Sequence, residues 1–435
     1  FILFNGEIYN YRALAKELTG NEDAFASDGF VLQPAYARWG ARFVTRLQGE
    51  FAIVVLDLRR RRLLLSTDAF STKPLWYATW HDAASGRERF GAASYESVLR
   101  RAGAPRAACL MAAPNEALVL ALNGEGAGVP QLAYPVSKLP LVTFDLRQHK
   151  THTRDWVAAF REAVALRTAR LKHRVFIGLS GGYDSGAIAL ALHQLGVPFL
   201  AYNVRAREDM DVVAQRTRWL HPKAESTLLQ LTRAEFAEEA RFLRRYCEPY
   251  RFVMHKARLR CGQREKLVSE DKGAVGLSAV LRAARSRGGL IYLSGSGADE
   301  IISDYAMNGT KLFAHSCFGG IFPSNLSAGS FFPWCNFFEG SQRSYLMKEE
   351  LTAGTHGAEA RYPFLDPAVV QEFLWLRHDL KNAEYKKPVA DFLRAAAFPT
   401  AWETKVGFSA NHNLRSGKDR GSGGGSGGSG SGGGG

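Results

Sequence analysis

The chain has 435 residues, 46% of them hydrophobic, and a formal net charge of +14 from 56 Lys and Arg against 42 Asp and Glu. That length suggests two or three domains with ample core, and no apolar run is long enough to span a bilayer. The five cysteines, Cys109, Cys247, Cys261, Cys317 and Cys335, lack paired spacing, which argues against a disulfide scaffold and a zinc site and for a reducing, intracellular compartment. The basic residues are scattered through Ala/Arg-rich helices without interleaved aromatics, so no nucleic-acid surface is expected, although the charge can attract an anion.

Residues 1 to roughly 145 read as β-rich, with apolar runs at 1–4, 51–58, 63–66 and 117–121 and one helix near 11–18. Arg59 to Arg62 falls between two such runs and reads as a hairpin tip. The stretch from Asn115 to Pro140 reads as loop-rich and closes this region. Trp156, Phe160, Val164 and Leu166 recur at helical spacing between about Asp155 and Leu171. Strands near 174–179, 198–204 and 289–293 then alternate with helices, which implies a parallel, doubly wound sheet. Residues 315–340 have no clear period and read as a long loop, a lid or a partner surface. From Ser416 the chain is mostly Gly and Ser and is expected to be disordered. An engineered linker and a native tail would look alike there.

The most informative stretch is Ile177-Gly-Leu-Ser-Gly-Gly-Tyr-Asp-Ser-Gly186. Its order is strand, glycine turn, helix. Such a turn lets backbone N–H groups approach phosphate oxygens, and the helix N-terminus adds partial positive charge. Its hydroxyls can donate to phosphate, and Asp184 can hold Mg2+ through oxygen. A second apolar strand, Leu290 to Leu293, runs into Ser294-Gly-Ser-Gly-Ala-Asp-Glu300. In a parallel sheet, ligands bind beyond the carboxyl ends of strands. Two such turns can face one nucleotide, with Asp184 and Asp299 sharing a magnesium.

Together these motifs resemble the PP-loop ATP pyrophosphatases, and within them the asparagine synthetase family. Three further stretches support the resemblance: Phe1 to Tyr11 with its Asn-Gly-Glu, Gly357 to Asp366, and Lys405-Val-Gly-Phe-Ser409. The resemblance implies an α+β amidotransferase-like β-sandwich domain over 1–145, an α/β doubly wound PP-loop domain over 150–412, and a tail over 413–435. It implies ATP and Mg2+ as cofactors, and a carboxylate with glutamine or ammonia as substrates. A homodimer and a subunit of a larger assembly are both open. By match, Ser180, Gly181, Gly182, Asp184 and Ser185 bind pyrophosphate. Gly178 and Val204 lie toward the adenosine, Leu179 belongs to the same nucleotide site, Ser294 and Gly295 approach from the second turn, and Asp184 and Asp299 coordinate Mg2+. Lys387, with Lys386 an equal candidate, matches a lysine that neutralises the transition state, and Lys405 another basic position near phosphate. Asn5 and Gly6 match an oxyanion hole, with Glu7 near the substrate and Asp28 on the glutamine ammonium.

Two departures from the family pattern stand out. The family's amidotransferase nucleophile is an N-terminal cysteine, and this chain has none before Cys109. The chain starts at Phe1 rather than Met, so either the nucleophile lies upstream or the natural protein lacks it. Phe30 also stands where the family has a second acid near the glutamine. In the second turn the family's glutamate is Ser296, and serine is no general base at neutral pH without help. Glu300, Asp304 and Glu359 are other acids within the motifs. Three readings follow. One is a glutamine-dependent asparagine synthetase. Another is an acyl-adenylating enzyme resembling β-lactam synthetases or lasso-peptide cyclases. The third is a nucleotide-binding protein kept as a structural subunit.

Overall fold

The computed structural model describes residues 1–82, 85–123, 131–205, 209–255 and 263–402. Its first half is organised by an antiparallel sheet of order β1-β2-β3-β7-β8. The strands are β1 (Ile2–Ile8), β2 (Gly49–Asp57), β3 (Arg62–Thr67), β7 (Glu116–Asn123) and β8 (Gln131–Pro140). A smaller sheet holds β4 (Trp76–Asp82) between β5 (Arg87–Ala93) and β6 (Leu110–Met111).

Alternation along the central strands sorts side chains to two faces. Phe51, Ile53, Val55, Leu64, Ala117 and Val119 pack with Leu14 of α1 (Tyr11–Thr19) and Leu32 and Ala35 of α2 (Leu32–Trp39). Ala52, Val54, Leu63, Leu65 and Leu120 face the other way, covered by Leu75 just before β4 and by Tyr77 and Phe90 of the small sheet. A further helix, α3 (Glu96–Arg101), lies against that sheet through Leu99. The Arg59–Arg62 segment does turn between paired strands, with Asp57 opposite Arg62.

The second half begins with α4 (Arg154–Thr168) and builds a five-stranded sheet, β11-β10-β9-β14-β17. Its strands are β9 (Arg174–Gly178), β10 (Phe199–Val204), β11 (Ala224–Leu229), β14 (Gly289–Leu293) and β17 (Glu359–Arg361), and every pairing is parallel. Val175, Phe176 and Ile177 in β9 and Leu200, Ala201 and Tyr202 in β10 are buried without alternation, as expected of strands covered on both faces. The crossovers use α5 (Tyr183–Gln194), α6 (Met210–Leu220), α7 (Arg233–Tyr246) and α8 (Lys272–Arg285). Short pairs β12 (Arg251–His255) with β13 (Gln263–Leu267), and β15 (Ala306–Met307) with β16 (Thr310–Lys311), stand outside the main sheets. The chain then adds α9 (Gly340–Thr355), α10 (Pro367–Trp375), α11 (His378–Lys381) and α12 (Lys387–Ala395).

The topology fixes where a ligand can sit. From β9 the chain winds outward through β10 and β11, then returns to place β14 on the opposite side of β9. The switch in winding direction opens a crevice between β9 and β14. The two glycine turns leave the sheet at these two strands.

Three expectations are corrected. The stretch Asn115–Pro140 carries β7 and β8 rather than mainly loop, because Ala117 to Leu122 pairs with β3 and β8 on either side. Residues 315–340 lack regular structure up to α9, but they are not a detached lid. Phe322, Leu326, Trp334 and Phe337 are buried, and Trp334 packs edge-on to Phe318, Phe322 and Phe337. Within this segment Cys317 and Cys335 form a disulfide, a pairing their spacing did not signal. Of the other cysteines, Cys109 and Cys247 are free and Cys261 lies outside the described residues. The Gly/Ser tail also lies outside them. Among the described residues no helix is long and apolar enough to cross a membrane.

Candidate active site

The first turn, Leu179 to Gly182, is held from beneath. Ser180 N–H donates to Ser185 Oγ at 3.1 Å, the two hydroxyls meet at 2.7 Å, and Gly182 N–H donates to Ser180 Oγ at 3.2 Å. Asn203 Nδ2 donates to Leu179 O at 2.9 Å. The guanidinium of Arg216, from α6, is fully buried under the turn. It donates to Ser180 O, to Gly182 O at 2.8 Å, to Pro399 O at 2.6 Å and to Thr400 Oγ1 at 3.2 Å. Tying down carbonyls from below fixes the turn's shape before any anion arrives, which reduces the ordering cost of binding. A Cβ at Gly186 would lie 2.5 Å from Arg216 Nη2, so glycine there admits the arginine.

The second turn meets the first directly. A Cβ on Gly295 would come within 2.9 Å of Asp184 Cβ, so only glycine allows this approach. Gly297 is left-handed at φ +97°, and a Cβ there would strike Leu365. Ser294 is buried, donates from Oγ to Glu349 Oε2, and accepts Ser296 N–H at 3.0 Å. Asp299 and Glu300 open a single irregular helical turn, Asp299–Ser303.

Lys386 joins the two turns. Its Nζ lies 2.5 Å from Asp184 Oδ1 and 2.7 Å from Asp299 Oδ1, and its side chain is 1% exposed. Tyr385 donates its hydroxyl to Asp299 Oδ1 at 3.2 Å. Burial opposes the ammonium charge, but the two carboxylates prevail and hold its pKa well above the ordinary lysine value. The backbone of Lys386 is left-handed at φ +49°, a costly conformation for a non-glycine residue that occurs where surroundings enforce it.

The structure therefore brings together Gly178, Leu179, Ser180, Gly181, Gly182, Asp184, Ser185, Val204, Ser294, Gly295 and Asp299 at the carboxyl ends of β9, β10 and β14. It directs Lys387 elsewhere. That side chain pairs with Glu384 at 3.1 Å and Asp391 at 2.6 Å along its own helix, while its neighbour Lys386 turns inward. The left-handed residue before α12 sends adjacent side chains to opposite sides, which spacing alone cannot decide. Lys405 lies outside the described residues. Asp184 and Asp299 converge on the Lys386 ammonium, and beside it their carboxylates are the groups that would hold Mg2+, which takes one or two carboxylates and draws its remaining ligands from phosphate and water.

The other half presents a second cluster. On edge strand β1, Asn5 Nδ2 donates to Ser94 Oγ at 3.2 Å, and Glu7, two residues on, shares its face. Gly6 has φ +128°, and a Cβ there would collide with Glu50 O. Asp28 Oδ2 accepts Ile8 N–H at 2.8 Å. Glu7 lies 3.0 Å from Arg361 Nη2. Burial pushes its pKa up to about 7 against the pull of that guanidinium, with the Glu359 and Asp28 carboxylates adding to the rise.

Arg361 belongs to β17, so this cluster leads into a layer of charges between the halves. Arg167 donates to Glu50 Oε1 at 2.7 Å and to Asp366 Oδ2 at 3.0 Å, and Lys73 Nζ donates to Glu350 Oε1 at 2.8 Å and Ala360 O at 2.6 Å. Sequence reasoning missed Arg216, Glu349 and this layer. Nothing in their spacing marks them, since each acquires its partner only through long-range packing.

Two family models match successive parts of the chain. Residues 1–125 match the glutamine amidotransferase domain family, and residues 155–331 match the asparagine synthase family. Asparagine synthetase (glutamine-hydrolysing) from Gallus gallus is 24% identical over 94% of this chain and 72% of its own length. Asparagine synthetase (glutamine-hydrolysing) 2 from Bacillus subtilis is 24% identical over 85% of this chain and 56% of its own. A relative in Mycobacterium tuberculosis is 42% identical over 81 residues, 18% of this chain and only 12% of the relative. The solved NMN synthetase of Francisella tularensis overlays with a TM-score of 0.25 at 12% identity, covering 60% of this chain and 100% of that one, a likeness too weak to add to the topology.

Proposed function

From a chain that belongs to the asparagine synthetase family, we propose an ATP-dependent amide synthesis in two parts, with 1–145 as the glutamine-handling half and 150–412 as the synthetase half. In the second part a carboxylate attacks the α-phosphorus of ATP, an acyl-AMP forms and pyrophosphate leaves; nitrogen then displaces AMP. Aspartate is the first acceptor to test. The observation that carries this reading is the meeting of the two turns at the β9/β14 crevice, with Lys386 between Asp184 and Asp299.

Each residue has a task within that reaction. The Ser180 to Gly182 turn, with Ser185, grips the pyrophosphate portion through N–H and hydroxyl donors. Gly178, where nothing lies within 4 Å of an added Cβ, leaves room for the adenosine beside Val204. Lys386 offers a fixed positive charge where negative charge develops at phosphorus, in a site too dry to screen it. Asp184 and Asp299 would also hold Mg2+ beside that ammonium, where it would neutralise charge on the phosphate oxygens. In the amidotransferase-like half, Asn5 and Gly6 would supply oxyanion donors, and Asp28 and Glu7 would hold the glutamine.

A second reading rests on Ser296. Without the family's glutamate in the second turn, another acyl-adenylating chemistry or a non-catalytic nucleotide site has support. Pyrophosphate exchange into ATP, screened with aspartate and then across the other amino acids, tests both. Aspartate-dependent exchange, followed by asparagine on adding ammonium, is the expected result. Exchange with a different carboxylate would replace the acceptor. ATP binding with no exchange for any carboxylate would leave a nucleotide-binding protein only.

A further inference from the structure

The second turn lacks a carboxylate at Ser296, yet one reaches that turn, at Ser294, from another element. Of the acids within the sequence motifs, none is free to replace it. Glu300 is buried, with Oε2 taking Gly297 N–H at 3.0 Å and Oε1 taking the Tyr305 hydroxyl. Asp304 is fully buried and saturated by Ser316 Oγ at 2.9 Å, Phe318 N–H at 2.7 Å and Asn336 Nδ2 at 3.0 Å. Glu359 is paired with Arg361 at 2.8 Å. Glu349, on α9, differs. Its carboxylate takes the hydroxyl of Ser294, whose oxygen in turn accepts the Ser296 N–H at 3.0 Å.

We propose that Glu349 supplies the carboxylate base of the synthetase site, delivered by α9 and aimed by Ser294 in place of a glutamate on the turn itself. The inference rests on the amide-forming reading given above. In the second step the nitrogen nucleophile forms a bond to the acyl carbon, the bond from that carbon to the AMP oxygen breaks, AMP departs, and one proton passes from nitrogen to Glu349. A base must lie beside the reacting carbon. Glu349 reaches the second turn at Ser294, next to Gly295, which packs on Asp184 of the phosphate turn. Burial raises its pKa, opposed by the Ser294 hydroxyl and the Lys348 ammonium. The other titratable groups facing it are Tyr292 of β14 and Tyr362 after β17. A raised pKa suits a group that must accept a proton near neutrality.

The test uses the whole chain with Glu349→Gln and Glu349→Asp. Two steps are followed separately: pyrophosphate exchange into ATP with the carboxylate that supports it, and amide release on adding ammonium chloride. General-base loss is worth about 10²–10⁴-fold. Amide release should fall about 100-fold or more in Glu349→Gln, with exchange reduced less than about threefold. Glu349→Asp should recover part of the rate, and the acidic limb of the parent's pH–rate profile should vanish in Glu349→Gln. Equal losses in both steps, or an unchanged acidic limb, would overturn the role of Glu349 while leaving the amide-forming reading intact. If the parent shows no exchange with any carboxylate, both fall together.

Discussion

Replacing Lys386 by Met removes the cation shared by Asp184 and Asp299 while keeping most of the side-chain volume. At 2.5 and 2.7 Å the gross attraction to each carboxylate is about 6 kcal/mol at an effective dielectric of about 20. Much of that offsets desolvation, so the net loss on removing one partner of a buried cluster is about 3–5 kcal/mol. At roughly 2 °C per kcal/mol for a unit of this size, the synthetase half should melt about 6–10 °C lower, read by calorimetry. The sign with pH follows from the raised lysine pKa. The stabilisation is fully present below the unfolded value of 10.5 and is lost only as pH rises through the higher folded value. The gap between parent and variant should therefore stay constant from about pH 6 to 9. Millimolar Mg2+ should recover more stability in Lys386→Met than in the parent, because two uncompensated carboxylates now face one point. A variant that melts within about 1 °C of the parent, or gains nothing more from Mg2+, would refute the placement of this ammonium.

Other changes probe the scaffold around it. Arg216→Met strips four acceptors of a buried donor and should weaken ATP binding at least tenfold by titration calorimetry. Gly186→Ala, whose Cβ would press on the same guanidinium, should reproduce part of that loss, and normal ATP affinity in both would show that the turn needs no support from below. Gly295→Ala should separate the two turns and cost about 1–3 kcal/mol in urea unfolding, together with nucleotide affinity. Burial holds the His356 pKa down to about 4 from 6.5, so its contribution to stability is present above pH 6.5 and lost as pH falls toward 4. About 1 kcal/mol should disappear between pH 6.5 and 5, below the full slope of about 1.4 kcal/mol per pH unit because the unfolded imidazole is only half protonated at 6.5 and solvent screens part of the effect. His356→Gln should flatten the pH dependence of the urea midpoint by that amount, and parallel curves would contradict it.

The nucleotide turns were legible because their chemistry is local: a strand, small residues and an acid occupy consecutive positions. The β9, β10 and β14 strands were legible for a similar reason, since strands covered on both faces are short unbroken apolar runs. What escaped was set by distance along the chain. β17 is three residues long and reads as nothing until β14 pairs with it. Arg216 looks like any surface arginine of α6, yet it is fully buried because Gly186 leaves room for it. The choice between Lys386 and Lys387 depends on one left-handed backbone angle. The aromatic segment 315–340 has no period because its side chains fill an irregular gap rather than one face of an element.

Helix α9 shows how far such non-local packing reaches into the chemistry. Its apolar and polar residues are buried together, with no single exposed face, as befits a helix surrounded on several sides. Two consecutive acids therefore meet different neighbours. Glu349 accepts from the second turn of the synthetase half, while Glu350 accepts from Lys73 of the amidotransferase-like half and from the Tyr362 hydroxyl at 2.9 Å. Burial pushes Glu350 up to about 7 despite the adjacent ammonium, so this contact is bound into a layer that tolerates little rearrangement. Charges so buried contribute little net attraction, because desolvation cancels most of the Coulomb gain, but a misaligned pair would leave a charge dry and unpaired. The layer of Glu50, Arg167, Asp366, Lys73 and Glu350 thus fixes orientation more than affinity. A shift of one half against the other would move α9, and with it the carboxylate that holds Ser294 of the second turn.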